Sequence, residues 1–242
     1  MTNPLDKNST ERQSNEEPIL FDMDGVILCG RGTDPRVYAT AADMVIDEYR
    51  LQPGSTARTT LRAHRCDEMV RAICADIGID VETFWREKER FASEIVNEKI
   101  RLGRHRIYDD VSVLSKLAEH RPLALVSNNR QQTVTSVVEH FELESVFEVV
   151  RGRDPTTEGF HRRKPEPFYL QETLETLGAD RGMYVGDRET DIIAAERAGL
   201  ESIFVRREFN RTESLEPTPT TEIQSLTELT AIVHSDVRGV RQ

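Results

Sequence analysis

Ile19-Leu20-Phe21-Asp22-Met23-Asp24-Gly25-Val26 is the stretch on which the reading of this chain turns. Pro18 precedes it, and Ile19 to Phe21 form a short apolar run that reads as a buried strand ending at Asp22. Side chains two apart on an extended backbone share a side, so Asp22 and Asp24 point the same way.

The pattern downstream falls into two parts. From Gly32 to Arg104 no convincing strand occurs, and apolar residues recur at helical spacing three times. The first series is Val37, Ala41, Met44, Val45 and Tyr49. The second is Leu61, Met69, Val70 and Ile73, closing near Gly78. The third is capped by Asp80, carries Phe84, Phe91, Ile95 and Ile100, and closes near Gly103. Phe84, Trp85 and Phe91 read as core. Beyond Asp109 strand and helix alternate, with strands expected at Leu123–Val126, Phe147–Val150, Met183–Val185 and Ser202–Val205. The intervening helices carry Val134 to Phe141, Pro165 to Leu177 before Gly178, and Ile192 to Ala198 before Gly199. The segments Gly152–Arg163 and Thr212–Thr221 read as loops, and Leu226–Val233 as a last helix. This alternation predicts an α/β fold with a mainly parallel sheet covered by helices on both faces. The expected organisation is a disordered tail over 1–18, a core over 19–31 and 105–234, an α-helical insert over 32–104, and a frayed tail over 235–242.

Ligands of open α/β sheets bind beyond the carboxyl ends of the strands. Asp22, Ser127 and Asp187 each follow an expected strand, so one sheet edge gathers them. With Asp24 and Asp191 they concentrate negative charge that repels unless a counter-ion is present. Oxygen ligands of this kind suit a hard cation such as Mg²⁺. Lys164 supplies a fixed positive charge, and Ser127 with the amides after it can donate hydrogen bonds. These are the components that phosphoryl transfer requires, and a carboxylate can serve as the attacking group.

Four segments in order carry a resemblance. Phe21-Asp22-Met23-Asp24-Gly25-Val26, Val126-Ser127-Asn128-Asn129, Lys164-Pro165-Glu166-Pro167 and Gly186-Asp187-Arg188-Glu189-Thr190-Asp191 resemble the four motifs of the haloacid dehalogenase-like (HAD) hydrolase superfamily. The long gap after the first motif resembles the α-helical cap of its phosphoglycolate phosphatase-like and β-phosphoglucomutase-like branch, which implies a Rossmann-like core. The resemblance implies that Asp22 is the nucleophile and that Asp24 protonates the leaving oxygen and then activates water. It implies that Ser127 and the Asn128 amide hold the phosphoryl oxygens, with Lys164 offsetting charge. It assigns Mg²⁺ to the Asp22 carboxylate, the Asp24 backbone carbonyl and Asp187, with Asp191 orienting metal-bound water or replacing Asp187. Gly25 then permits the turn into the loop that follows. Asn129, Arg130, Arg188 and Glu189 read as supporting or solvent-facing residues.

The implied activity is Mg²⁺-dependent hydrolysis of a small organic phosphomonoester through an aspartyl phosphate on Asp22. The same residues serve a phosphomutase of the β-phosphoglucomutase type. Dehalogenases lack the second acid that is Asp24 here, since a leaving halide needs no proton. A phosphoaspartate signalling module is the alternative from another class, but the position of Asp22 and the helical insert count against it.

The resemblance implies a small phosphorylated metabolite as the partner, and composition bears on the other classes. The 242 residues include 43 acidic and 32 basic side chains, a net charge of -11 that disfavours nucleic acid and anionic lipid. No apolar run approaches the ~20 residues needed to cross a bilayer, and the start of the chain lacks the apolar stretch of a secretory signal. Cys29, Cys66 and Cys74 form no CxxC pair, which fits a reducing cytoplasm rather than a disulfide framework or zinc site. Cys29 has nothing beside it to activate a thiol. Lysine occurs only at positions 7, 88, 99, 116 and 164. Abundant acid with little lysine suits either a surface hydrated in concentrated salt or a GC-rich genome. Nothing in the sequence indicates an oligomeric state.

Overall fold

A computed structural model describes residues 16–233. The expected tails, apart from residues 16–18, lie outside the described residues, as does residue 234. The chain opens with β1 (Ile19–Phe21) and then runs through α1 (Pro35–Glu48), α2 (Ser55–Arg62), α3 (Glu68–Asp76) and α4 (Val81–Arg101). A 3-10 turn over Asp109–Val113 leads into α5 (Leu114–Ala118). The sheet resumes with β2 (Leu123–Arg130), α6 (Gln131–His140), β3 (Val149–Arg153), α7 (Thr157–His161) and α8 (Phe168–Leu177). It finishes with β4 (Met183–Gly186), α9 (Glu189–Ala198), β5 (Glu201–Val205) and β6 (Thr221–Ile223).

The six strands are ordered β3-β2-β1-β4-β5-β6, and every pairing is parallel. β1 lies between β2 and β4, so the chain builds one half of the sheet and then reverses to build the other. That switch point opens a crevice beyond the carboxyl end of β1. Strand alternation separates two apolar layers. Ile19 and Phe21 join a layer with Val134, Val137 and the insert residues Val45 and Phe84. Leu20 joins the opposite layer with Val126, Tyr169, Leu170, Tyr184 and Ala194. Both faces are therefore covered, as parallel strands require.

Local chemistry accounts for several element ends. Pro35 starts α1 behind Asp34, whose carboxylate accepts from the Arg36 amide at 2.9 Å. Asp80 caps α4 on the Thr83 amide at 2.9 Å. Gly178 and Gly199 end α8 and α9 in the left-handed conformation.

The structure departs from the expected elements at several points. The Leu61–Ile73 series is two helices, because Asp67 captures the Val70 amide and starts a fresh one. α8 begins at Phe168 rather than Pro165, since Pro165 and Pro167 precede it and Glu166 closes a turn onto the Arg163 carbonyl. The Gly152–Arg163 loop contains α7, capped by Thr156 on the Gly159 amide. β2 continues past Ser127 to Arg130, and β3 sits over Val149–Arg153. The end of the Thr212–Thr221 segment enters β6, which pairs with β5. The last helix starts as a 3-10 turn at Leu226–Glu228 and continues helically over 229–233.

One ion pair ties three separate segments to the sheet edge. Arg207 grips Asp110 at 2.7 and 3.1 Å and also donates to the Val26 carbonyl at 2.9 Å. The Asp110 carboxylate accepts from the Leu226 amide at 2.9 Å as well. Burial alone raises this carboxyl's pKa, but the Arg207 and Leu226 hydrogen bonds outweigh it and hold the group below its ordinary value. The stability it contributes is therefore present at neutral pH and lost as pH falls through that lowered value. Asp110→Ala leaves Arg207 uncompensated, and urea unfolding is expected to show a loss of about 2–3 kcal/mol. Glu98→Ala, which breaks an exposed pair with Arg101, is expected to change stability by less than about 0.5 kcal/mol.

Candidate active site

The site assembles at the switch point. The Asp22 amide donates to the Val185 carbonyl at 2.9 Å, continuing the β1–β4 ladder one residue beyond the strand and fixing where the carboxylate emerges. Lys164 reaches the same place from the loop before α8. Its Nζ lies 2.8 Å from Asp22 Oδ1 and 2.7 Å from Asp191 Oδ1, and it also donates to the Tyr184 hydroxyl. Tyr184 donates in turn to the Val126 carbonyl at 3.0 Å. The Asn128 side chain holds the Lys164 backbone from both sides, accepting from its amide at 2.8 Å and donating to its carbonyl at 3.0 Å. Asn128 thus supports the lysine through its side chain, a role separate from the one expected of its amide.

Three buried carboxylates face one another. Asp22, Asp187 and Asp191 each offer an oxygen within 4.8 Å of the others. Their contacts differ. Asp191 is occupied on both oxygens, with Lys164 on Oδ1 and the Asp187 and Arg188 amides on Oδ2 at 3.1 and 3.0 Å. Asp187 is almost fully buried, yet neither of its carboxylate oxygens has a hydrogen-bond partner. Burial first, and then the charges of Asp191 and Asp22, push the Asp187 carboxyl far above the usual carboxylate range. Burial also raises Asp22, against the pull of Lys164. An unpartnered buried carboxylate beside two others is the arrangement a hard divalent cation completes, and the oxygen-only donor set fits one. Backbone geometry leaves room for the Asp187 carboxylate. Gly25 sits at φ +84°, and a Cβ there would lie 2.3 Å from Asp187 Oδ2.

Asp24 faces the same cavity with a different environment. Its Oδ2 accepts from Asn129 Nδ2 at 3.1 Å. Burial raises its pKa, only partly opposed by that hydrogen bond and by Arg188, so the carboxyl holds a proton more readily than a free aspartate. Ser127 is buried, and its Oγ accepts from the Asn129 amide at 3.1 Å. Asp22, Asp24, Ser127, Asn128, Lys164 and Asp191 all line one cavity of about 300 Å³, while Asp187, the third member of the acidic cluster, lines a second cavity that shares Arg31 and Arg188 with the first.

Other contributors carried little signal in the sequence. Asn129 is buried on Asp24 and not solvent-facing; its place two residues after Ser127 on an extended strand was the available clue. Arg130 is also buried, with Nε on Ser93 at 2.9 Å. Arg188 does line the cavity, partly exposed. Tyr184 had no marker beyond its strand. Tyr38, His64 and Arg163 line the cavity from the helical insert and the loop before Lys164, a placement that only the packing decides. Glu89 of α4 is fully buried and joins the insert to the sheet, with Arg153 Nη2 at 2.7 Å, His64 Nε2 at 3.2 Å and Arg130 Nη1 at 3.6 Å. Phe84, Trp85 and Phe91 are buried. Among the described residues, no helix is long and apolar enough to cross a membrane.

Comparison with known proteins gives the family. Residues 19–205 match the family described as haloacid dehalogenase-like hydrolase. A phosphoglycolate phosphatase of Aquifex aeolicus is 33% identical over 198 residues, covering 76% of this chain and 82% of the relative. One from Aliivibrio fischeri is 31% identical over 210 residues, covering 81% and 87%. Among solved structures, CbbY from Rhodobacter sphaeroides in complex with phosphate shares the fold at a TM-score of 0.59 and 18% identity, over 88% of this chain and 96% of that one. The chain belongs to the haloacid dehalogenase-like hydrolase family.

Proposed function

We propose that this protein is a Mg²⁺-dependent phosphatase that hydrolyses a small organic phosphomonoester through an aspartyl phosphate on Asp22. That it hydrolyses phosphate esters accords with its family and with relatives named phosphoglycolate phosphatase. The observation that carries the finer reading is the pairing of two unlike carboxyl groups on one cavity. Asp22 is oriented by Lys164 at 2.8 Å, and Asp24 is held by Asn129 at 3.1 Å.

In the first step a carboxylate oxygen of Asp22 attacks phosphorus. The bond from phosphorus to the ester oxygen breaks, and Asp24 gives its proton to the departing alcohol. In the second step Asp24, now a carboxylate, takes a proton from water as that water attacks phosphorus. Inorganic phosphate leaves and the Asp22 carboxylate is restored. Lys164 keeps Asp22 aligned and offsets charge on the phosphoryl oxygens, while Ser127 and the Asn128 amide donate to them. The residues that would hold Mg²⁺ are Asp22, Asp187 and the Asp24 carbonyl. Asp191, whose oxygens are both engaged, orients the loop and the lysine. The bound cation supplies positive charge to the phosphoryl oxygens. The helices over 32–104 act as a cap that keeps bulk water from the intermediate.

Phosphate release from a panel of small phosphomonoesters, at low and multimolar KCl, tests the reading. Asp22→Asn is expected to abolish turnover, because an amide cannot serve as the nucleophile; a wild-type rate in that variant would overturn the mechanism. Asp24→Asn is expected to lose about 10²–10⁴-fold in kcat. Chelation of divalent metal is expected to stop phosphate release, and added Mg²⁺ to restore it. Asp187→Ala is expected to raise the Mg²⁺ concentration needed for half-maximal rate or to eliminate activity, while calorimetric titration with Mg²⁺ reports the lost binding directly.

A further inference from the structure

The cavity lining is of two chemical kinds. One is the carboxylates with Lys164. The other is Tyr38, His64 and Arg163. Tyr38 and His64 stack with ring centroids 3.6 Å apart and planes 6° from parallel. The Arg163 guanidinium lies over the Phe160 ring, 3.5 Å from its centroid, and Phe160 meets His64 edge-on at 5.1 Å.

Three guanidinium groups line the cavity, and their partners separate them. Arg31 is paired with Glu213. Arg188 stands 3.9 Å from Asp187. Arg163 donates to the Phe160 carbonyl, and no carboxylate among the described residues lies within ion-pairing distance of it. The nearby buried acid, Glu89, is already committed to Arg153, His64 and Arg130. His64 does not supply a competing cation. Burial pushes its imidazole down to about 4 despite the Glu89 hydrogen bond, so it is neutral at pH 7. Arg163 is thus a half-buried cation on the cavity wall, without a counter-ion, in a place where burial and the Arg153 charge both oppose it.

A guanidinium retains its charge in such a place and offers a planar fork of donors to an incoming anion. Arg163 also immediately precedes Lys164 in the chain. Lys164 turns to Asp22 at the sheet edge, and Arg163 turns to the aromatic wall. One dipeptide therefore presents two cations to two parts of a cavity sized for a small molecule, about 300 Å³.

We propose that Arg163 is a specificity-determining residue that pairs with a second anionic group of the substrate, a carboxylate or a further phosphoryl group, while the reacting phosphoryl group sits at Asp22. This rests on the phosphatase reading above and extends it to the substrate's far end. An ester with an uncharged tail leaves the Arg163 charge uncompensated and is the poorer substrate.

The test compares the Mg²⁺-loaded wild type with Arg163→Gln and Arg163→Lys on ethyl phosphate, 2-phosphoglycolate and pyrophosphate. Arg163→Gln is expected to lower kcat/KM by about 10- to 100-fold on a charged-tail compound, mainly through KM. On ethyl phosphate the change is expected to stay within about threefold. Arg163→Lys is expected to restore part of the loss, and the compound that suffers distinguishes a carboxylate from a phosphoryl group. Equal losses on all three compounds, or no loss on either charged one, overturn the assignment. Calorimetric binding to Asp22→Asn, with and without Arg163→Gln, separates the two claims. If wild type turns over none of the compounds, yet Arg163→Gln weakens binding of a charged one and not of ethyl phosphate, the phosphatase reading fails and the Arg163 assignment stands. Binding that is insensitive to Arg163 overturns the assignment.

Discussion

The burial of the Lys164 ammonium group is the constraint from which the site follows. A buried charge is tolerated only where opposite charge and hydrogen-bond acceptors meet it at close range. Lys164 finds them in Asp22 and Asp191, with the Tyr184 hydroxyl beside them. These partners come from the end of β1, from α9 and from β4. The ammonium can therefore be satisfied only when the sheet has formed in its observed order. Asn128, at the end of β2, then holds the lysine backbone, so the two halves of the sheet meet at a single side chain.

Around that cation four aspartates of identical chemistry acquire different properties. Asp191 is consumed by the lysine and two loop amides. Asp22 shares the lysine and faces the cavity. Asp187 is buried without any hydrogen-bond donor, which leaves its oxygens available to a cation. Asp24 takes one amide donor from Asn129, and burial favours its protonated form. Residue type is constant across the four, so the differences come from solvation and neighbours. Gly25 belongs to the same arrangement, since a side chain there would displace the Asp187 carboxylate.

The helical insert is tied to the sheet through a second buried charge group, centred on Glu89. Arg153 and Arg130 come from the sheet side, and His64 comes from the insert. Burial of Glu89 opposes its charge, but the Arg153 contact and the His64 hydrogen bond prevail and keep it ionised. This junction holds His64, and through it the stacked Tyr38 ring, on the cavity that the carboxylates also line. It also accounts for the separate state of Arg163, since the acid within its neighbourhood is already neutralised.

Much of this was legible in the chain itself. The apolar run before Asp22, the alternation of strands and helices after Asp109, and Asp22, Asp24, Ser127, Lys164 and Asp187 in order were enough to read a parallel α/β sheet with an acidic site at one edge. Strand polarity is a local property, and parallel strands carry residues at their carboxyl ends to the same edge whatever the loop lengths. Where local competition was finer, the reading slipped. Asp67 divided one apolar series into two helices, and Thr156 started a helix inside an expected loop, because a single capping hydrogen bond decides such boundaries. The pairings were beyond the sequence. That Asn129 holds Asp24, that Tyr184 meets Lys164, and that Arg163 is left without a carboxylate depend on side chains distant in the chain. Sequence determined which chemical groups reach the sheet edge; tertiary packing decided which of them are satisfied, because partner choice and desolvation exist only once the layers have closed.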